Sequence, residues 1–555
     1  MLQTKRLSIA LLTLSQTALA AQPPSSGNQL QQIPTVPVPP KALPEIRIEQ
    51  KAAPALPVSD TMKIVVNRLH ITGNSVYSEA ELAGIAGLKP GSELTLTELR
   101  GLAAKITDYY HNNGYFIAKA YLPAQDIKDG VVTIAVSEGK YGKVILRNQT
   151  NLTDELANDL LSGLGSGDAV TTAPLENRLL LMSDQPGVIV KSTLVPGAST
   201  GVSDLIVDVQ PGQRVSGNVY FDNQGNRYTG TNRYGATVNL NNPAGHGDIA
   251  SFQGLSSFDG LDYGRASYQM QIGKAKAGVA YTAMDYRLGK EFSNIDANGS
   301  AQIAGLFGNY PLIRSRNNNL NIQLGFDAKT FRDKVDSTFT VRNKQAWVGM
   351  AGLAGDHRDN VFGGGLSSYS LTWTSGNIDL QSPDALAENL ATAHSNGHYD
   401  KFSLTAMRLQ NISQTVSLYA GIKGQAATKN LDASEKMELG GVNNIRAYPE
   451  GEAYGDQGYV LNVEARWLLP PMPDPIPGRV QLIGFIDNGM VELNKNPWSP
   501  GQNSRTLSGG GVGFNWVDNG NFAVKGFYAH KLDNNAALSA PDQAGQFWLQ
   551  AVKYF

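Results

Sequence analysis

Between residues 213 and 555, apolar and polar positions alternate in segments of about ten residues, separated by clusters of Gly, Asn and Asp. In the clearest segment Tyr459, Leu461, Val463, Ala465, Trp467 and Leu469 fall on one side, and Asn462, Glu464 and Arg466 on the other. The same period of two runs with weaker contrast through Phe402, Leu404 and Ala406, and through Val416, Leu418, Ala420 and Ile422. Successive strand residues point to opposite faces, so each segment has an oily face and a wet one. Candidate strands begin near Val215, Arg233, Asp248, Tyr263, Lys276, Ser300, Asn319, Lys344, Gly365, Tyr399, Thr415, Tyr459, Arg479, Thr506, Asn521 and Gln546, sixteen in all. The 343 residues give each strand with its connection about 21. A strand crossing an outer membrane needs roughly 9 to 11 tilted residues, which leaves about ten for turns and loops. The pattern predicts a 16-stranded antiparallel transmembrane β-barrel over 213–555. Its wet faces would line water, whereas a soluble sandwich would need dry inner faces.

Upstream the period changes. Over 62–139, KIVVNRLHI reads as a strand, 79–87 and 96–111 as helices, and FIAKAYLP and VVTIAVSEG as two further strands. Leu99, Leu102, Ala103, Ile106 and Tyr110 form one apolar stripe to lay on a sheet. Over 140–212 a weaker copy follows: strand GKVILRNQT, helices at 153–163 and 173–183, and strands GVIVKSTLVPG and SDLIVDVQPG. Two consecutive units with one element order amount to an internal repeat of α+β domains.

The 22–61 segment carries Pro23, Pro24, Pro34, Pro37, Pro39, Pro40, Pro44, Pro54 and Pro57, which favours an extended linker broken only by short regular pieces. SSGNQLQQI, between Pro24 and Pro34, is the stretch that can make a short polar helix. Residues 1–21 combine Lys5 and Arg6, an apolar run from Leu7 to Leu14, and Ala18-Leu19-Ala20, which reads as a signal peptide of an exported protein.

Composition narrows the function. The formal net charge is −2, from 46 Lys and Arg against 48 Asp and Glu, and becomes −4 once Lys5 and Arg6 are removed. That balance gives no basic surface for phosphate, so no nucleic-acid partner is expected. There is no Cys, which excludes thiolate zinc sites and disulfide staples. No apolar run is long enough for a membrane helix, so a membrane-embedded chain must cross as a barrel. Gly163-Leu164-Gly165-Ser166-Gly167 ends a helix instead of opening one after a strand, and reads as a turn. His394 and His398 flank Gly397 in a polar loop with no third ligand apparent. No nucleophile motif or supported carboxylate pair emerges, so no enzyme, cofactor or metal is expected.

Two motifs complete the picture. GGVNNIRAYPEGEAYGDQGY lies between the eleventh and twelfth strands and carries Ile445, Arg446 and Tyr448. Phe485-Ile486-Asp487-Asn488-Gly489 lies in the thirteenth strand, and its period places Phe485, Asp487 and Gly489 together, opposite Val480, Leu482 and Ile486. With these motifs the whole layout resembles the TpsB transporters of two-partner secretion, in the outer-membrane protein-assembly superfamily. The resemblance implies a plug helix and linker at 22–61, two polypeptide-transport-associated (POTRA) domains at 62–139 and 140–212, and the barrel with an inward-folded loop at 440–458. It implies that Arg446 and Tyr448 at the loop tip meet the Phe-x-Asp-x-Gly wall of Phe485, Asp487 and Gly489. An Arg fork and a carboxylate can form a bidentate pair that pins the loop. The family's usual glycine between Arg446 and the aromatic residue is Ala447 here, which alters the tip if that turn needs a positive φ.

The implied function is an outer-membrane pore with periplasmic POTRA domains that secretes a large TpsA-type exoprotein, an adhesin, cytolysin or contact-dependent toxin, held unfolded in the periplasm. Implied partners are outer-membrane lipid, periplasmic chaperones and the barrel-assembly machinery. Strand edges offered by VVTIAVSEG or DLIVDVQPG could bind an extended chain through its backbone. The alternatives are an assembly factor for other barrels, and a passive porin; two POTRA units argue against the first, and the periplasmic domains against the second. One departure stands out at the C-terminus: Lys553 falls on the face of Phe547, Leu549, Ala551 and Phe555, where lipid is expected.

Overall fold

The computed structural model describes residues 23–34, 44–49, 62–473 and 475–555. The signal peptide expected at 1–21 lies outside the described residues. Sixteen antiparallel strands, from Val215–Asp222 to Gly545–Tyr554, close into one barrel. Closure rests on five residue pairs between these two strands, from Asn218↔Tyr554 to Asp222↔Gln550. The strands range from 8 residues to the 20 of Thr340–Asp359.

Alternation sets the two faces. Trp467, Val463 and Ile486 are exposed on the outside, and Glu464 and Asp487 are buried inside, so the period of two read in the twelfth and thirteenth strands becomes a lipid face and a lumen. Lys553 stays on the outer face, where its ammonium turns to the Asn521 side chain in the turn between the fourteenth and fifteenth strands. The long methylene stem lies along lipid while the charge reaches the interface.

Two small α/β units precede the barrel. In the first, helices Glu79–Ala86 and Leu96–Asn112 pack on a sheet ordered Arg68–Thr72, Val131–Ser137, Lys119–Tyr121. Thr95 caps the longer helix, accepting from Glu98 N while Glu98 returns a carboxylate to Thr95 N at 2.7 Å. Leu99, Ala103, Ile106 and Tyr110 form the buried stripe. The expected single strand KIVVNRLHI is broken at Asn67: Ile64–Val66 pairs with the extra short strand Ser92–Leu94, and only Arg68–Thr72 joins the main sheet. In the second unit, helices Asp154–Leu161 and Thr172–Ser183 cover a sheet ordered Glu45–Ile48, Val188–Pro196, Val202–Pro211, Lys140–Asn148.

That order corrects the strand-edge expectation. Val131–Ser137 and Val202–Pro211 are the last strands of their units in sequence, but each is central in its sheet, paired on both sides. Neither VVTIAVSEG nor DLIVDVQPG offers a free edge. The edge of Val188–Pro196 is also covered, by Glu45–Ile48 from the proline-rich segment, which runs parallel to it from Glu45↔Lys191 to Ile48↔Leu194. These four residues lie in the proline-free window between Pro44 and Pro54, where every backbone N–H can donate. Ile46 packs on the second unit's core.

The second unit is tied to the barrel at the turns on the side where the barrel's chain begins. Arg314 makes a bidentate pair with Asp184 at 2.7 and 2.8 Å, Arg316 meets Glu176 at 2.7 Å, and Thr153 N donates to Gly245 O.

Candidate functional site: the filled lumen

The chain between the eleventh strand Val416–Ala427 and the twelfth strand Gln457–Leu468 folds into the barrel. A short hairpin, Met437–Leu439 with Ala453–Gly455, forms its stem, so the expected loop at 440–458 begins slightly earlier and its last two residues belong to the wall. Gly440 and Gly441 reverse the chain at φ of 102° and 83°. Beyond them Ile445, Ala447 and Tyr448 are fully buried at the tip.

Arg446 is met by residues of four wall strands. Its Nε and Nη2 donate to Asp487 Oδ2 and Oδ1 at 2.9 and 2.7 Å, and its backbone N donates to Oδ2 at 3.1 Å. Nη1 donates to Glu464 Oε1 at 2.7 Å. The guanidinium carbon lies 3.5 Å from the centroid of the Phe485 ring, and Phe527 closes over it at 5.2 Å. Asn462 bridges, donating to both Asp487 Oδ1 and Asn444 O at 2.8 Å. The Trp548 indole of the sixteenth strand donates to Arg446 O at 2.7 Å. One cation therefore faces two carboxylates, and Arg466 balances the second through Glu464 Oε2. Charges this deep hold only when paired and hydrogen-bonded, and these are.

The other expected residues fall in the same cluster. Gly489 admits Leu439 and Ile445: a Cβ there would lie 2.7 Å from Leu439 Cδ1 and 2.9 Å from Tyr459 O. Tyr448 donates to the Asp533 carboxylate and, at 2.9 Å, to Asn535 O in the outer loop before the last strand. Ala447 lies outside the left-handed region, so the turn needs no glycine. Its methyl is received by the wall instead: a Cβ on Gly509 would sit 2.5 Å from Ala447 Cβ. Sequence reasoning singled out Arg446 and Asp487 but passed over Glu464 and Trp548 as site residues. Glu464 already stood on the wet face of the twelfth strand, opposite Phe485 in register, and Asn462 stands opposite Asp487.

A second segment occupies the lumen. The helix Ser26–Gln31 has Ser26, Gly27, Asn28 and Gln29 buried. Asn28 Oδ1 accepts from Ser25 N and Oγ at its start. Inside the barrel, Ser26 N donates to Asp333 Oδ1 at 2.9 Å, Thr229 Oγ1 to Gln29 Oε1 at 2.9 Å, and Arg233 Nη1 to Gln32 O at 2.7 Å. Gln32 Nε2 reaches Tyr454 OH at 2.6 Å and Glu438 Oε1 at 3.2 Å, so helix and loop meet each other. Of the two histidines expected in a polar loop, His394 lies in the loop with φ 52°, while His398 stands in the tenth strand Gly397–Asn411, 3.1 Å from Asp400.

Residues 201–516 match the family described as haemolysin secretion/activation protein ShlB/FhaC/HecB. The chain belongs to that family. Residues 64–139 match the ShlB-type POTRA domain. Among relatives of this TpsB chain, a heme/hemopexin transporter protein, HuxB of Haemophilus influenzae, is 28% identical over 556 residues, covering 98% of this chain and 97% of that one. The outer membrane transporter CdiB of Dickeya dadantii is 22% identical, covering 75% of this chain and 74% of its own. In fold, the structure of CdiB from Escherichia coli superposes with a TM-score of 0.67 at 20% identity, covering 93% and 94% of the two chains. This TpsB chain is thus an outer-membrane translocator of a large exoprotein in a Gram-negative cell, with POTRA domains in the periplasm.

Proposed function

We propose that the translocator rests shut, with the Arg446 tip pinned to the wall and the helix Ser26–Gln31 acting as a removable plug. The unfolded exoprotein is captured in the periplasm and threaded through the lumen once the helix withdraws. Support for the plug is its burial inside the barrel, mostly on hydrogen bonds with Leu30 and Ile33 packed on the barrel's apolar cluster, at the end of a proline-rich tether. Support for backbone capture is the arrangement of the periplasmic sheets, whose edge strands among the described residues include Arg68–Thr72, Lys119–Tyr121, Glu45–Ile48 and Lys140–Asn148. No nucleotide is needed: folding of the emerging exoprotein outside, as it buries surface, makes exit irreversible. Chaperones would keep that exoprotein unfolded, and the barrel-assembly machinery would insert this chain into lipid. The names of the relatives at 28% identity favour an exported partner tied to haem or hemopexin over a contact-dependent toxin. Deleting residues 23–33 is expected to raise single-channel conductance in planar bilayers; an unchanged conductance would refute the plug.

A further inference from the structure

Where the inward loop leaves the eleventh strand, a single 3₁₀ turn, Ala433–Glu435, touches the helix and is itself fastened to the wall. Asp432 caps this turn, accepting from Ser434 N at 2.9 Å and Ser434 Oγ at 2.7 Å, and Lys344 of the eighth strand donates to the same carboxylate at 2.6 Å. Glu435 is gripped by two lysines: Lys329 of the seventh strand at 2.9 Å and Lys401 of the tenth at 3.0 Å. Lys401 also donates to Glu435 O at 2.8 Å, and Gln425 donates to that same carbonyl at 3.1 Å. Lys344 and Glu435 are buried, so this is a second charge cluster, on the wall opposite in sequence to the Arg446 lock and sharing no residue with it.

The helix rests on this turn by close backbone approach. A Cβ on Gly27 would lie 2.6 Å from Ser434 Cβ and 2.9 Å from Ser434 N, so only glycine fits there. Gln31 Nε2 donates to Ala433 O at 3.1 Å. Neither Asp432 nor Glu435 hydrogen-bonds to the helix; they act by holding the surface on which it sits.

We propose that Lys329, Lys344 and Lys401, with Asp432 and Glu435, form the seat that positions the plug helix, a positioning cluster distinct from the Arg446 lock. This rests on the reading of the helix as a plug. The turn is three residues long and both of its carboxylates are held by the lysines, so without them its backbone is expected to shift, and a surface that must match Gly27 to within an atom's width no longer does. The helix then loses its fit although none of its own residues has changed.

Because the chain has no Cys, Ser26→Cys gives a single thiol buried under the docked helix. In vesicles carrying the full-length protein, a membrane-impermeant maleimide is expected to label that thiol about tenfold faster in Lys329→Met/Lys401→Met and in Glu435→Gln than in the parent, as a shift of the helix-out population of that size requires. Gly27→Val, which leaves the wall untouched, is expected to do the same, and it covers the case in which the lysine variants fail to give a heat-modifiable barrel. Lys329→Arg/Lys401→Arg, which keeps both charges, is expected to stay protected. Labelling at the parent's rate in the lysine, Glu435 and Gly27 variants would overturn the seat. If deletion of residues 23–33 still raised conductance in that case, the plug would stand and only its seat would be wrong. If the deletion left conductance unchanged while the variants exposed Ser26→Cys, the seat would stand and the plug would fall.

Discussion

The two segments that fill the lumen are held in opposite ways. At the loop tip Arg446 spends all three guanidinium nitrogens and its backbone N–H on carboxylates, Phe485 stacks on it, and Ile445, Ala447 and Tyr448 add apolar packing. The helix Ser26–Gln31 buries only small and polar residues in its first turn, and among the described residues Ser26 Oγ, Gln29 Nε2 and Gln32 Oε1 are buried with no hydrogen-bonding partner. A buried polar atom without a partner costs about 1 to 3 kcal/mol, which offsets much of what the helix gains from the bonds it does make. The tip therefore sits in a deep well and the helix in a shallow one. For the plug proposed above, that is the useful division: the tip is held as part of the wall, and the helix is the segment whose release costs less.

The sharpest way to break this contrast is at the tip. Asp487→Ala leaves the buried Arg446 with Glu464 as its remaining carboxylate, and is expected to destabilise the docked tip by about 3 kcal/mol, the lower end of the range for splitting a buried pair. Secretion of the exoprotein by cells should fall to background while the barrel still inserts and migrates heat-modifiably on gels; normal secretion would mean that the lock is not needed. On the shallow side, Gln32→Ala removes bonds to Tyr454 and Glu438 and is expected to cost about 1 kcal/mol, a roughly fivefold rise in the helix-out population. Bilayer recordings should then show more frequent openings of unchanged amplitude. An effect as large as that of Asp487→Ala would erase the difference between the two wells.

The barrel was legible because alternation is a local property: each sequence-predicted strand start falls within a few residues of the observed one, from Val215 and Arg233 to Gln546 beside Gly545. Arg446 and Asp487 were legible because the spacing of their motifs is short. What the sequence hides is order in space. Both last strands of the periplasmic units slip between their neighbours, parallel to the first strand and antiparallel to the one before, so the edges expected for VVTIAVSEG and DLIVDVQPG do not exist. The break at Asn67 is marked in the sequence only by the polar pair Asn67-Arg68 between two apolar stretches, which an ordinary strand also tolerates. Trp548 and the lysines at 329, 344 and 401 look like ordinary lumen residues until the loop is folded against them. Ala447 was read as a backbone question and proved to be one of packing, settled by Gly509 across the wall.

A further buried carboxylate, outside the membrane, is held by hydrogen-bond donors where the loop tip uses a cation. Glu138 follows the strand Val131–Ser137 in the first POTRA unit and is 5% exposed. Burial alone would raise its pKa, but it accepts from Ser75 Oγ, from Ser75 N and Val76 N at 2.7 and 2.8 Å, and from Tyr110 OH at 2.8 Å, and these donors together hold it below the usual carboxylate range. A carboxyl whose pKa is lower folded than unfolded lends stability that is full above the unfolded value and is lost as pH falls through the folded one. The first unit should therefore lose stability as the medium is acidified below the ordinary carboxylate pKa, read as a falling unfolding midpoint in denaturant. Tyr110→Phe removes one donor and keeps the ring, so it should cost about 1 kcal/mol at neutral pH. It should also move the acid loss to higher pH, because the pKa of Glu138 rises toward its unfolded value. An acid profile unchanged by Tyr110→Phe would show that the Ser75 hydroxyl and the backbone donors of Ser75 and Val76 suffice to hold the charge.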